Sequence, residues 1–188
     1  MSKARAERAQ RPRPPGVGAG EEIAAIIRVD HAGEYGAVRI YQGQLAVFGN
    51  AKSKTAAAVR QMAEQEQAHL KAFDALINER RVRPTALEPV WRVAGFALGA
   101  ATAMMGEKAA MACTAAVEDV IDRHYAGQIE RLDGDPALKK TVEAFRADEI
   151  AHRDQALAHG AAEAPGYRLL SEAIKAGCRV AIALSEKI

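Results

Sequence analysis

Two short motifs in this 188-residue chain pair a carboxylate with an imidazole one helical turn apart: Glu66-Gln67-Ala68-His69 and Glu149-Ile150-Ala151-His152. Residues three apart on an α-helix share a face, so each Glu and His can point at one centre. Each motif follows a lone glutamate at nearly the same distance. Glu34 lies 32 residues before Glu66, and Glu118 lies 31 before Glu149. The unit Glu … Glu-x-x-His therefore occurs twice, offset by 84 residues at its first glutamate and 83 at its motif. A single motif would say little, but a matched pair points to two metal ions. Four carboxylates and two imidazoles make an oxygen-rich, thiolate-free set, which suits iron or manganese over structural zinc. With two ions about 4 Å apart, Glu66 and Glu149 are the expected bridges. Glu34 and Glu118 are then the terminal ligands, one for each ion.

Bringing those six side chains together requires four helices, and the apolar periodicity supplies them. From Glu21 to about Phe48, residues Ile23, Ile27, Val38, Tyr41, Leu45 and Phe48 recur at helical spacing, with Glu34 on the same stripe. Gly49-Asn50 closes that helix, and Ser53 is a suitable N-cap for the next. The second stripe is Val59, Met62, Phe73 and Leu76, with Glu66 and His69 inside it and Arg83-Pro84 as its end. A third core helix spans about Glu107 to Leu132, with Met111, Ala115, Ile121, Tyr125 and Ile129 on the face that holds Glu118. Asp135 as N-cap and Pro136 at the first helical position open the fourth. That helix carries Leu138, Val142, Phe145 and Ala156 around Glu149 and His152, and ends near Gly160. A last helix follows Pro165-Gly166. The expected fold is all-α: a ferritin-like four-helix bundle with two additional helices, one an apolar crossover between the halves. All six candidate ligands then lie on buried faces. A buried Glu–His ion pair accounts for any one of them, but four acids and two histidines in register would repel without cations.

Composition bounds the rest. The length suits one domain, expected over residues 21–188, preceded by a disordered basic Pro/Gly-rich tail over residues 1–20 that could be drawn weakly to anionic lipid. Lys+Arg 26 against Asp+Glu 24 leaves +2, and aromatics are 5%, which argues against a nucleic-acid partner. The tail has no apolar core segment of a secretory signal, and its glycines follow no strand, so they are not a dinucleotide fingerprint. Cys113 and Cys178 form no C-x-x-C pair and read as small apolar fillers.

Between the halves, Trp91 and Arg92 precede an uncharged run from Val93 to Gly106, with Lys108 beyond it. The run is too short for a confident span but suits a helix lying in a bilayer interface. The last helix, with Ile174, Cys178, Val180, Ile182 and Leu184, could extend that surface. The alternative is that both helices cover the bundle or meet a partner subunit.

Several segments together resemble the demethoxyubiquinone hydroxylase family: VDHAGEYGA (29–37), EQEQAHLKAF (64–73), RVRPT (81–85), WRVAGFALGA (91–100), EKAAMACTAAVED (107–119), HYAGQI (124–129) and AGCRVAIALSE (176–186). The resemblance runs from about Glu22 to the C-terminus. It implies a membrane-bound di-iron monooxygenase of ubiquinone biosynthesis that hydroxylates a polyprenylated quinone ring with O2 and two electrons from NADH or another reductant. The family's iron ligands map onto Glu34, Glu66, His69, Glu118, Glu149 and His152. The resemblance also places His124 and Tyr125 near the centre, although Tyr125, two turns from Glu118, equally suits a packing role. Implied partners are the quinone, a membrane surface, other ubiquinone-biosynthesis proteins and further copies of the chain. The implied location is peripheral, on the cytoplasmic face of a bacterial inner membrane or the matrix face of a mitochondrial one. A ferritin-like iron store is the rival reading and a manganese catalase a further one. The long apolar insertion argues against a storage cage.

Overall fold

The computed structural model describes residues 19–188, so the expected tail lies almost wholly outside the described residues. Six α-helices follow in order: α1 (Ala19–Phe48), α2 (Lys54–Arg80), α3 (Glu88–Met104), α4 (Glu107–Ile129), α5 (Pro136–Ala158) and α6 (Tyr167–Ser185). No strand occurs among the described residues. Helices α1, α2, α4 and α5 form the ferritin-like bundle. The crossover α3 packs along α1, and α6 packs along α4. The internal repeat is therefore a three-helix unit used twice, α1–α3 and α4–α6.

The helix ends follow local chemistry. The Ser53 hydroxyl accepts from the Ala56 N–H at 3.0 Å and the Asp135 carboxylate from the Leu138 N–H at 3.1 Å, each satisfying an otherwise orphaned donor. Pro136 then occupies the first turn of α5. Helix α2 stops at Arg80, short of the expected Arg83-Pro84. Arg81 adopts a left-handed cap at φ 52°, and the Val82 N–H bonds back to the Ile77 carbonyl at 3.0 Å. The two residues that close this motif, Ile77 and Val82, are both buried in one apolar cluster, which offsets the strain at Arg81. Helix α4 likewise ends at Ile129 rather than Leu132, and a 3₁₀ turn over Ala161–Glu163, which apolar periodicity does not announce, precedes α6.

The core is layered. One apolar cluster gathers Tyr41, Val59, Met62, Met111, Ala115 and Ala156. A second gathers Ile27, Phe73, Tyr125, Leu138 and Val142. On every core helix the candidate ligands fall between the residues of these two clusters, so the layer that holds them lies between two apolar clusters. Cys113 packs with Ile40, Val117 and Ile174, with Cys178 against them, and both thiols are free.

Glycine sets the α1–α3 distance. A Cβ at Gly43 would collide with the Phe96 carbonyl oxygen, and one at Gly99 with the Ile40 carbonyl oxygen. The opposite side of α3 stays uncovered, with Val90, Val93 and Met104 more than half exposed.

Candidate metal centre

The polar layer brings all six predicted side chains together. Their donor atoms form two groups, Glu34/Glu66/His69/Glu149 and Glu66/Glu118/Glu149/His152, and within each group every donor lies within 4.8 Å of the others. Glu66 and Glu149 belong to both groups, the arrangement a bridging pair requires. Glu149 turns one oxygen to each histidine: Oε1 is 3.2 Å from His69 Nδ1 and Oε2 is 3.3 Å from His152 Nδ1. Glu66 Oε1 lies 3.0 Å from His152 Nδ1, so it faces the histidine of the other motif. Glu34 Oε2 is 3.6 Å from His69 Nδ1.

None of the six is more than 4% exposed. Burying that many ionisable groups costs several kcal/mol for each unpaired charge. Burial, then the charges of neighbouring carboxylates, pushes Glu66 and Glu118 well above the usual carboxylate range. Burial also raises Glu34, against the opposing contact of His69. Glu149 is the exception: burial raises it, but the two histidines outweigh that and hold it at about 2. Burial lowers His69, yet Glu149 and Glu34 together lift it to about 10. The group therefore competes for positive charge, and protons are the substitute for a cation.

The unpartnered atoms show what would replace those protons. Glu66 Oε1, Glu118 Oε2, both Glu149 carboxylate oxygens, His69 Nδ1 and His152 Nδ1 are buried without a hydrogen bond. Buried polar atoms are normally satisfied, so six orphans converging on one layer fit a pair of divalent cations whose charge would balance four carboxylates. The residues present suit that group, and neither cysteine belongs to it.

Several side chains around the cluster are not evident from the motifs alone. The Tyr125 hydroxyl donates to Glu34 Oε1, and the Tyr41 hydroxyl donates to Glu118 Oε1 at 3.0 Å. Burial and the neighbouring carboxylates push both phenols well above their ordinary value, so both remain donors. Each tyrosine sits seven residues after the glutamate of its own helix and reaches the glutamate of the other. His69 Nε2 meets Asp148 Oδ2, and His152 Nε2 meets Gln65 Oε1, both at 3.1 Å. A signal for them exists in the chain, because Tyr41/Tyr125 and Gln65/Asp148 repeat at the offsets of the ligands. His124 does not reach the cluster. Its Nε2 faces Asp30 Oδ1 at 3.3 Å and Gln128 Nε2 at 2.8 Å.

An apolar cavity of about 540 Å³ is walled by α1, α3, α4 and α6 and is lined by the sequence neighbours of two cluster glutamates rather than by the cluster itself. Gly33, Gly36, Leu98, Val117, Ile121 and Ala181 are among its lining residues, and no charged side chain is. Trp91 and Ser185 line it too, joined by an indole N–H to hydroxyl bond of 2.9 Å.

Comparison with known proteins identifies the family of the chain. The family described as "Ubiquinone biosynthesis protein COQ7" matches residues 21–185. A "3-demethoxyubiquinol 3-hydroxylase" of Rhodospirillum rubrum is 55% identical over 167 residues, covering 88% of this chain and 78% of the relative. A human protein named "NADPH-dependent 3-demethoxyubiquinone 3-hydroxylase, mitochondrial" is 51% identical over 168 residues, covering 87% and 76%. The "5-demethoxyubiquinone hydroxylase, mitochondrial" of Saccharomyces cerevisiae is 41% identical over 179 residues, covering 87% and 77%. With residues 21–185 matched by the family model and relatives up to 55% identical over most of both chains, this protein belongs to the COQ7 family of ubiquinone biosynthesis proteins.

Proposed function

We propose that this chain is a membrane-associated di-iron monooxygenase that hydroxylates the ring of demethoxyubiquinone, a 2-polyprenyl-3-methyl-6-methoxy-1,4-benzoquinone or its quinol, in ubiquinone biosynthesis. The observation that carries this reading is the adjacency of cluster and cavity. Gly33 and Val117 line the cavity, and the next residue on each helix is a cluster glutamate, Glu34 or Glu118. The names of the relatives support the substrate class.

Two iron ions would be held by the six residues, with Glu66 and Glu149 spanning both, Glu34 and His69 on one, and Glu118 and His152 on the other. When bound, iron supplies the activation of O2. The reaction puts one oxygen atom into a ring C–H bond and releases the other as water, consuming two electrons and two protons. The chain's own part is to position and to exclude water. Tyr125 and Tyr41 hold the terminal carboxylates Glu34 and Glu118 in fixed orientations through their hydroxyls. The uncharged cavity suits an apolar ring, and Gly33 and Val117 in its wall adjoin the glutamates of the polar layer.

The outer surfaces of α3 and α6 suit a lipid-borne substrate. Val90, Val93 and Met104 on α3, with Val180 and Leu184 on α6, are exposed. No helix among the described residues is long and apolar enough to cross a membrane, so these faces favour peripheral attachment with the polyprenyl tail in lipid. The location would be the cytoplasmic face of a bacterial inner membrane, or the matrix face of the mitochondrial inner membrane in a eukaryote; the human and yeast relatives are named as mitochondrial. A nicotinamide nucleotide is the proposed reductant. The human relative's name specifies NADPH, where the family resemblance implies NADH or another donor. Other ubiquinone-biosynthesis proteins and further copies of the chain are the proposed protein partners.

The test is genetic and chemical. Cells lacking this protein should accumulate demethoxyubiquinone and lack ubiquinone. The wild-type chain should clear the intermediate, and a Glu118→Ala chain should not. Unchanged quinones with altered cellular iron would favour the storage reading instead.

A further inference from the structure

The two halves of the centre use the same donor types and the same outer partners for their terminal glutamates, but they differ at their histidines. Glu34 and Glu118 each accept from the tyrosine of the opposite helix. His69 and His152 each leave Nδ1 facing the cluster and turn Nε2 to the residue just before the other motif's glutamate, at the same 3.1 Å. For His69 that residue is the acid Asp148; for His152 it is the neutral amide Gln65. A carboxylate accepting the Nε2 proton makes the opposite nitrogen a stronger donor than an amide carbonyl does, and it fixes the ring more firmly. Phe145 adds to the restraint on the same side, stacking on His69 with ring centroids 4.0 Å apart.

A second difference falls on the same half. The residue one turn before Glu34 is Asp30, whereas the residue one turn before Glu118 is Thr114. Asp30 is held by Gln128 at 2.7 Å and belongs to neither donor group. The outer contact of the histidines is therefore the difference in charge that lies nearest the donors.

We infer that Asp148 is a positioning residue that makes the two metal positions unequal, so that the ion held by Glu34 and His69 is retained more tightly than the ion held by Glu118 and His152. The inference rests on the metal-centre reading proposed above, but not on its quinone chemistry.

The experiment measures iron, not turnover. The full chain is loaded anaerobically with two equivalents of ferrous iron and then challenged with excess chelator, and iron remaining per chain is followed over time. The wild type should lose its iron in two phases, one ion leaving well before the other. Outer partners of ligating histidines are typically worth roughly 10–100-fold in metal affinity. Asp148→Asn should therefore speed the slow phase by that factor, with circular dichroism confirming unchanged helix content. Gln65→Glu should slow the fast phase, which keeps the test independent of any loss of folding in Asp148→Asn. Mössbauer spectra of half-loaded protein should show one dominant iron environment in the wild type and two in Asp148→Asn. Single-phase release by the wild type, or two phases that neither substitution moves, would overturn the inference alone. A chain that binds no iron would overturn the metal-centre reading and this inference with it.

Discussion

Glu149 is the residue on which the centre turns, because it alone presents one carboxylate oxygen to each histidine. Glu149→Ala should release both ions and abolish hydroxylation, while Glu34→Ala should release one. Iron per chain, measured with helix content as the control, distinguishes the two; full turnover by Glu149→Ala would refute the assignment. The tyrosines admit a milder test. Tyr41→Phe removes the hydroxyl that donates to Glu118 and leaves that buried carboxyl group unsatisfied. Such a loss costs about 1–3 kcal/mol, and urea unfolding of the metal-free protein should show it. An unchanged unfolding midpoint would mean that the hydroxyl does nothing for Glu118.

Helix α3 separates packing from exposure along a single uncharged stretch. A methyl group at Gly99 must push α1 and α3 apart, because the obstacle is the Ile40 backbone rather than a movable side chain. Gly99→Ala should therefore lower stability by about 1–3 kcal/mol, the usual cost of overpacking, despite alanine's better helix propensity. Val93→Glu changes an exposed site instead. It should leave the melting temperature nearly unchanged and reduce the fraction that pellets with anionic vesicles. If Val93→Glu pelleted like the wild type, the outer face of α3 would not be the lipid contact.

Across the whole molecule, the buried charges make metal-free stability depend on pH in a fixed direction. Glu66, Glu118 and His69 all hold protons better folded than unfolded. Their contribution is complete below the ordinary values, about 4.3 for Glu and 6.5 for His, and is lost as pH rises through the raised folded values. Glu149, held at about 2, works the other way: its contribution is present above the ordinary value and is lost only in strong acid. From about pH 5 to 9 the metal-free protein should thus become less stable. Ferrous iron at the proposed centre would replace the protons as counter-charge and should flatten that slope. Thermal melts across this range, with and without iron, check both statements; a metal-free stability that rose with pH would contradict the buried carboxylate layer.

Residue types and their spacing were enough to pick out the six candidate donors and the helices that carry them. That Glu34, Glu66, His69, Glu118, Glu149 and His152 converge was legible because acids and imidazoles inside apolar stripes are costly to bury singly, and the chain places them there twice at one spacing. Ser53 and Asp135-Pro136 were legible because caps act within four residues. Pairing across the bundle is not local, and it follows from how the helices pack. It set Glu66 against His152, each tyrosine against the other helix's glutamate, and Asp148 and Gln65 against the two histidines. The same holds for the uncharged run after Trp91. One-dimensional hydropathy cannot distinguish Gly99 against a neighbouring backbone, Leu98 on a cavity wall and Val93 facing outward, because those fates depend on where α1 and α6 lie. Composition recruits the donors, and packing decides which donor faces which.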